Sequence, residues 1–424
     1  MYSCKRTLVI LLALLANHTM AQSTTTFPGT VSDVKTINTQ KLLKIMNQGN
    51  TSFLPVAAHR GYWQNVSENS IDSINLAYQS GIEAVEIDVR IASTQAQPFQ
   101  SGSTYGELQD PSADLVLSHD ECVDRQTSGS GALRNNPGSK CATKTGFTAS
   151  EYTKQQLRNR AGNLYTSAAG AKSTPPLFAQ ALQCMKNYMS VDSQGILRGP
   201  VLVVDLKDKD NTTGELIAWN EYIYGLKVMR ETLPDSMWPA VIWKLKMSSA
   251  LPSVAEVNTE ISKHPSYGHL VLTIVPEDVK NEQYGPLGSD YRELLGYSQS
   301  PTPYITQFEY VAFNARDGSD LYLKTLPSPG APNLESFATY YQPSYYPEGV
   351  SNRFAGCCYL APLNQAEIGT KTIDNIDTRG ILDFATYYDS FEPGEITATI
   401  TSDNLLETMN YLVVKGTRNV SQIQ

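Results

Sequence analysis

The most informative part of the chain begins with Val56-Ala57-Ala58-His59-Arg60-Gly61 and extends over residues 55–124. It continues with Glu68-Asn69-Ser70 and Glu86-Ile87-Asp88, and it closes on Leu115-Val116-Leu117-Ser118-His119-Asp120. Three of these motifs lie in or directly after a short apolar run, which is typical of a buried strand. In a barrel or an open sheet, the ends of such strands would bring the histidines, the arginine and the carboxylates together.

The same alternation of short apolar runs and helical spacing continues outward to the end of the chain. It favours a parallel α/β fold over a sandwich, and we predict one (β/α)8 TIM barrel with long loop insertions. Residues 54–424 would form the barrel domain, and residues 22–53 an N-terminal arm covering the bottom of the fold. The predicted strands cover residues 55–58, 84–89, 114–118, 201–207, 239–245, 270–275, 304–308, 337–341 and 396–400, and the helices 41–46, 70–79, 149–160, 176–188, 213–233, 251–264, 377–388 and 405–413.

Residues 1–21 have the pattern of a signal peptide for export. Lys5 and Arg6 precede a short apolar core, and small residues end at Ala21 before the expected cut. The apolar run is too short to cross a bilayer, which argues against a stable membrane anchor. We therefore expect a secreted or periplasmic protein.

Net charge and cysteine content narrow the possible partners and cross-links. Removing the leader lowers the formal net charge from −9 to −11, because the leader carries two basic residues and no acid. This balance argues against nucleic acid as a partner, but it is compatible with a small anionic substrate that meets a local metal ion. Export permits disulfides, for which Cys122 and Cys141 are the best candidate pair, with buried free thiols as the alternative. The oligomeric state stays open.

Acids within predicted parallel strands are the strongest indication of chemistry. Glu86 and Asp88 share one face of a strand, and Asp205 and Lys207 repeat the pattern on another. Such acids are more often an exposed polar face or a simple ion pair. In a parallel sheet, however, both faces are buried, and carboxylates there are costly unless a cation compensates them. We therefore predict an oxygen-rich site for one divalent cation, Ca²⁺ or Mg²⁺.

Two histidines lie at ends of predicted strands, His59 before Arg60 and His119 before Asp120. A lone histidine in such a position is more often structural than catalytic. Here two of them accompany an arginine and several carboxylates, which favours an attack on a phosphate ester assisted by a metal ion. His264 and His269 lie near a helix end and a loop, and we assign them no role.

In these motifs the sequence resembles the glycerophosphodiester phosphodiesterase family of the phospholipase C-like phosphodiesterases. The order of His59-Arg60, Glu68-Asn69-Ser70, Glu86-x-Asp88 and His119-Asp120 carries the resemblance. Residues 124–131 (DRQTSGSG) and Thr401-Ser402-Asp403-Asn404 extend it. From residue 208 to residue 395 the similarity is limited to the rhythm of strands and helices.

The resemblance implies a role for each matching residue. It implies Glu86, Asp88 and Asp205 as metal ligands and a (β/α)8 barrel with its site at the carboxyl ends of the strands. It also implies His59 and His119 as the acid–base pair, in an order left open, and Arg60 and Lys207 as contacts of the substrate phosphate. The expected reaction is hydrolysis of glycerophosphodiesters to glycerol 3-phosphate and an alcohol, as part of lipid metabolism.

Departures from the family pattern suggest an alternative substrate. Asp205-Leu206-Lys207 replaces the usual Glu-x-Lys, and Ser67 stands where proline is common. The aspartate, and a cysteine shortly after His119, resemble the sphingomyelinase D branch. The alternative function is therefore a phospholipase D acting on sphingomyelin or lysophospholipids, so that the partner is a small phosphodiester or a lipid head group. A barrel used only for binding is disfavoured because the expected site residues are all present.

Overall fold

The computed structural model of the 424-residue chain describes residues 27–48, 50, 52–63, 66, 68–93, 108–109, 111, 113–119, 175–207, 217–247, 271–276, 305–312, 337–341, 397–402 and 405–424. The signal peptide, the proposed Cys122–Cys141 pair and the glycine-rich stretch 124–131 lie outside these residues. So do the helices expected at 149–160, 251–264 and 377–388. None of the helices within the described ranges has the length and apolar character needed to cross a membrane.

Eight parallel strands close into a barrel. Going round the barrel, each strand pairs with the next. The ring closes because the first strand, Val56–His59, pairs with both Ala84–Ala92 and Thr397–Ser402. The (β/α)8 barrel expected from the sequence is thus confirmed. The eight barrel strands are β1 (Val56–His59), β2 (Ala84–Ala92), β6 (Val201–Leu206), β7 (Val241–Met247), β8 (Val271–Pro276), β9 (Ile305–Ala312), β10 (Phe337–Tyr341) and β11 (Thr397–Ser402).

The strand β3 (Asp114–Leu117) lies outside the ring, although the sequence pattern predicted it as one of the barrel strands. It pairs antiparallel with Val89–Ala92, the second half of β2. The short strand β1 pairs only with residues 84–86 of β2, so the edge beyond it is available to β3. This extension carries His119 back toward the barrel strands.

Helices cover the outer faces of the described strands. The five α-helices of the described residues are Thr39–Gln48, Ile71–Gln79, Phe178–Lys186, Ile217–Thr232 and Leu405–Val414. The Trp243 ring of β7 packs edge-on against Phe178 and Tyr222 from two of them, at centroid distances of 5.5 and 5.4 Å. Gly225 faces the same ring, and a Cβ there would lie 2.7 Å from it. Tight packing on the outer face leaves the barrel interior to the polar residues.

Two local features differ from the sequence expectations or refine them. Residues 190–198 contain a small hairpin of β4 (Ser190–Val191) and β5 (Leu197–Arg198), which the apolar periodicity did not predict. The helix expected at 70–79 starts one residue later, because Ser70 caps it. The Ser70 hydroxyl accepts the Ser73 backbone N–H, and the Ser73 hydroxyl accepts that of Ser70.

A buried ion pair joins the chain ends to the amino-terminal end of the barrel. Both guanidinium Nη atoms of Arg418 donate to the carboxylate of Glu83, at 2.7 and 2.9 Å. Glu83 directly precedes β2, and Arg418 also donates to the carbonyl groups of Leu54, before β1, and Gly29, in the N-terminal arm. The described part of the arm therefore contacts this end of the fold, while its boundaries at 22 and 53 remain a prediction.

Candidate active site

The polar residues of the site come from neighbouring barrel strands. His59 is the last residue of β1 and is in register with Glu86 of β2. Two residues further along β2, Asp88 is in register with Asp205 of β6. Because the strands are parallel, these four side chains approach one another near the carboxyl ends of β1, β2 and β6, where TIM barrels carry their active sites.

Three of the side chains form a cluster that could hold a metal ion. One ligand atom each from His59, Glu86 and Asp88 lie within 4.8 Å of one another. His59 Nε2 lies 3.9 Å from Glu86 Oε2. All three residues are buried. The cluster thus contains two of the three predicted ligands, together with the histidine predicted for acid–base chemistry.

Asp88 is held from several sides. Lys207 Nζ lies 2.9 Å from its Oδ1, and Arg60 Nε lies 3.0 Å from its Oδ2. Asn69 donates its side-chain amide to Oδ2 at 2.8 Å and accepts the Asp88 backbone N–H at 2.9 Å. Burial alone would raise the pKa of Asp88, but Lys207, followed by His119 and Arg60, outweighs it and holds that pKa well below its usual range.

Lys207 bridges two acids. Its ammonium lies 2.5 Å from Asp205 Oδ2, in addition to the contact with Asp88. Burial opposes the charged form of Lys207, yet Asp205 and Asp88 raise its pKa above the usual value. The lysine is therefore charged at neutral pH. It donates a hydrogen bond to Asp205, and its charge faces Asp88 as an ion pair.

The turn after β1 contains two residues in an unfavourable backbone conformation. Arg60 and Asn69 are not glycines, but they have positive φ angles of 58° and 48°. The turn is fixed because Asn69 donates its backbone N–H to the Arg60 carbonyl at 3.0 Å. It lets Arg60 donate its backbone N–H to Glu86 and its guanidinium to Glu68, at 3.2 Å in both cases. Unfavourable backbone geometry of this kind is common at functional sites.

Glu86 lacks the strong stabilisation that Asp88 receives. Burial raises its pKa, and the neighbouring Asp88 carboxylate raises it further. Lys244 of β7 is the nearest lysine, with its Nζ 3.6 Å from Glu86 Oε1. Buried carboxylates this close to each other repel unless positive charge is added. Glu86 is therefore the position where a divalent cation would relieve the most unfavourable charge.

His119 follows β3 and is positioned through the backbone. Arg90 Nε donates to the His119 carbonyl at 3.0 Å. The preceding residue, Ser118, donates its backbone N–H to the Asp88 carbonyl at 3.1 Å. His119 is also one of the groups that lower the pKa of Asp88. Asp120, the next residue of the motif, lies outside the described residues.

The donor set of this site suits a hard divalent cation. Glu86 and Asp88 offer carboxylate oxygens, which are the ligands that Mg²⁺, Ca²⁺ and Mn²⁺ prefer, whereas the ring nitrogen of His59 is more typical of transition-metal sites. The raised pKa of Glu86 has the same implication, because a nearby cation would reverse it. The residues therefore fit a divalent ion, although the donor chemistry does not select one. The assignment of Glu86, Asp88 and Asp205 as the ligand set remains a prediction.

Four residues of the site received no role from the sequence. Glu68 and Asn69 belong to a motif that was recognised, and their function as partners of Arg60 and Asp88 follows only from the turn. Lys244 lies in the predicted strand 239–245, and Arg90 directly follows the predicted strand 84–89. Both are basic residues within barrel strands, where an uncompensated charge is costly. That rule, already applied to the acids, was sufficient to select them.

A family comparison agrees with this geometry. Residues 59–94 match the model of the glycerophosphoryl diester phosphodiesterase family. This segment contains Arg60 and all three residues of the cluster, His59, Glu86 and Asp88. The chain resembles glycerophosphodiester phosphodiesterases. The features shared with the sphingomyelinase D branch remain a minor part of that resemblance.

Individual relatives extend the comparison over most of the chain. An uncharacterized protein, y4eD, of Sinorhizobium fredii is 26% identical over 310 residues, which cover 72% of this chain and 70% of the relative. A crystal structure from Silicibacter pomeroyi DSS-3, assigned to the glycerophosphoryl diester phosphodiesterases, superposes with a TM-score of 0.51 at 12% identity. That match covers 89% of this chain and 98% of the other. At this identity the match supports the barrel fold alone.

Proposed function

We propose that this protein is an exported, metal-dependent phosphodiesterase that hydrolyses glycerophosphodiesters to glycerol 3-phosphate and an alcohol. The observation that carries the proposal is the buried cluster of His59, Glu86 and Asp88 beside Arg60 and Lys207. The match of residues 59–94 to the family model supports the same reaction class. A phosphodiester is anionic, so its hydrolysis requires positive charge next to the phosphate oxygens.

Positive charge in the site comes from the chain itself and from the ion. A bound divalent cation would supply positive charge that offsets the negative charge of the phosphate oxygens. Lys207 would place its positive charge next to a phosphate oxygen, while its contacts with Asp88 and Asp205 fix its position. Arg60 adds a second fixed positive charge and is itself oriented by Glu68. Ligand and cation are thus bound by groups that are already ordered.

Proton transfer is assigned to His59 and His119. One imidazole accepts a proton from the attacking group, which is either a water molecule, giving glycerol 3-phosphate directly, or the glycerol hydroxyl next to the phosphate, giving a cyclic phosphate that a water molecule then opens. The other imidazole donates a proton to the departing alcohol. The site gives the two histidines different surroundings, because His59 lies against Glu86, whereas the backbone of His119 is held by Arg90.

The reaction is tested by incubating the purified protein with glycerophosphocholine and measuring glycerol 3-phosphate. We expect turnover that is lost with a chelator and restored by Mg²⁺ or Ca²⁺. His59→Ala and His119→Ala are each expected to lower kcat/KM by at least about a hundredfold. Lys227→Met, at an exposed helical position, is the matched control. Turnover that is insensitive to chelator would reject the metal role, and near wild-type rates in either histidine variant would reject the pair.

Substrate class and export need separate measurements. Release of head groups from sphingomyelin or lysophospholipid vesicles, with no reaction on water-soluble diesters, would instead indicate the phospholipase D alternative. Export predicts a mature amino terminus at Gln22, which sequencing of the protein from its native source would detect. A mature chain that retains Lys5 and Arg6 would contradict the signal peptide.

A further inference from the structure

Lys244 is a buried cation to which the mechanism above gives no role. Only 2% of the surface of Lys244 is exposed to solvent. On β7 it is in register with Asp205 of β6, which is itself in register with Asp88 of β2. Lys244 therefore stands at the same level of the barrel as two of the predicted metal ligands. Lysines are almost never buried to this extent unless an acid compensates them.

Glu86 is an acid next to Lys244, and the two oxygens of its carboxylate face different groups. Glu86 Oε2 accepts the backbone N–H of Arg60 at 3.2 Å and lies 3.9 Å from His59 Nε2. Glu86 Oε1 lies 3.6 Å from Lys244 Nζ. One oxygen thus faces the histidine of the cluster, whereas the other faces the lysine. The orientation of Glu86 is determined before any ion arrives.

The basic residues of the site are divided among its acids. Lys207 contacts Asp88 and Asp205, and Arg60 contacts Asp88. The ammonium of Lys244 is the lysine charge next to Glu86. A divalent ion bound by Glu86 would therefore share that carboxylate with a fixed positive charge. Like charges in a protein interior repel much more strongly than in water, because the effective dielectric constant is lower.

We propose that Lys244 is a positioning residue that acts as a permanent counter-cation for Glu86 and weakens the binding of the divalent ion. This inference rests on the metal site of the proposed function. In the absence of metal, Lys244 keeps the Glu86 carboxylate compensated and oriented within the folded barrel. In the presence of metal, its charge opposes the ion, so that the affinity is lower than the carboxylates alone would give.

Metal affinity is the first test, measured by calorimetric titration of metal-free protein with Mg²⁺ alone and with Ca²⁺ alone. Lys244→Met keeps the length of the side chain and removes its charge, and we expect it to lower the Kd by at least about tenfold. Lys244→Arg keeps the charge and is expected to stay near the wild-type Kd. The exposed control Lys227→Met should not change it. A Kd that is unchanged or higher in Lys244→Met would overturn the proposal.

Stability of the metal-free protein is the second test, and it has the opposite sign. Lys244→Met leaves Glu86 without its counter-charge, so the variant should unfold at lower urea concentration than the wild type. Adding Glu86→Gln removes the stranded charge and should recover most of that loss, as a double-mutant cycle measures. If Lys244→Met alone does not fold, recovery of folding in the double variant supports the pairing. Equal destabilisation of the single and double variants contradicts it.

The two proposals fail in distinguishable ways. A wild-type protein that binds neither ion would overturn the metal site and, with it, the role of Lys244. A wild-type protein that binds an ion with the same Kd as Lys244→Met would overturn only the role of Lys244. Neither readout requires turnover, so the result does not depend on which phosphodiester is the substrate.

Discussion

Replacing Arg418 by methionine should destabilise the protein strongly, although the residue lies at the opposite end of the barrel from the site. The guanidinium donates twice to Glu83, at 2.7 and 2.9 Å, and also to the carbonyl groups of Leu54 and Gly29, at 2.6 and 3.0 Å. Its planar head stacks on the Phe53 ring at 4.5 Å. Methionine retains the stem and its packing but removes all four donated hydrogen bonds.

The expected loss follows from the burial of the pair. The side chains of Arg418 and Glu83 are each 1% exposed, so the variant leaves a carboxylate inside the protein without its cation. Removing one partner of a buried ion pair costs about 3–5 kcal/mol in the free energy of unfolding. The backbone N–H of Val56 still donates to Glu83 at 2.6 Å and limits the loss. We therefore expect about 3 kcal/mol, the lower end of that range.

Urea unfolding of the metal-free proteins, followed by circular dichroism, measures this loss. The control is Arg198→Met, because the Arg198–Asp192 pair has the same kind of contact, 3.0 Å, but its side chains are 26% and 27% exposed. An ion pair that is open to solvent contributes much less than a buried one, because water screens its charges. Adding Glu83→Gln to Arg418→Met should recover part of the loss, since the stranded charge is removed. Equal effects of the Arg418 and Arg198 variants would refute the reasoning.

Three further expectations concern the site and the core. Asn69→Ala should weaken metal binding or lower kcat/KM by about 10–100-fold, because Asn69 orients Asp88 through two hydrogen bonds. Titration calorimetry would detect the first effect and steady-state kinetics the second. Gly61→Ala should destabilise by about 2–4 kcal/mol, because φ is 81° and a Cβ would lie 2.5 Å from a neighbouring side chain. Gly195→Ala, at φ 76° with open space around it, should cost only about 1 kcal/mol in the same urea assay. Burial raises the pKa of Cys184 to about 12, so iodoacetamide at pH 9 should modify this thiol only when the protein is unfolded in urea, as mass spectrometry of its peptide would show. For the same reason, the free energy of unfolding should fall as the pH rises from about 9 toward 12.

The sequence was sufficient to predict the barrel because the pattern of each element is local. The six apolar and acidic residues 201–206 form β6, and residues 337–341 form β10 with the bounds that the periodicity predicted. The convergence of His59, Glu86, Asp88 and Asp205 required only that their strands be neighbours and parallel. Since sequential strands in such folds are neighbours, the general position of the site followed from chain order.

Long-range partners were beyond the reach of the same reasoning. The contact between Glu83 and Arg418 joins residues that are 335 positions apart, and nothing in the local pattern of either indicates the other. The direction of β3 depended on where β1 ends along the edge of β2. Lys244 belongs to the site only because β7 faces β6 at the level of Asp205.

The sequence by itself determined which side chains enter the barrel, because a strand exposes alternate residues to its two faces. Only the tertiary structure decided how the charges are shared, because ion pairs form across strands according to register and reach. Asp88 therefore contacts Lys207, Arg60 and Asn69 at 2.8–3.0 Å, whereas the contact of Glu86 with Lys244 is longer, at 3.6 Å. Burial and the neighbouring Asp88 carboxylate raise the pKa of Glu86, and Lys244 opposes them only in part, so that a cation beside Glu86 would be favourable.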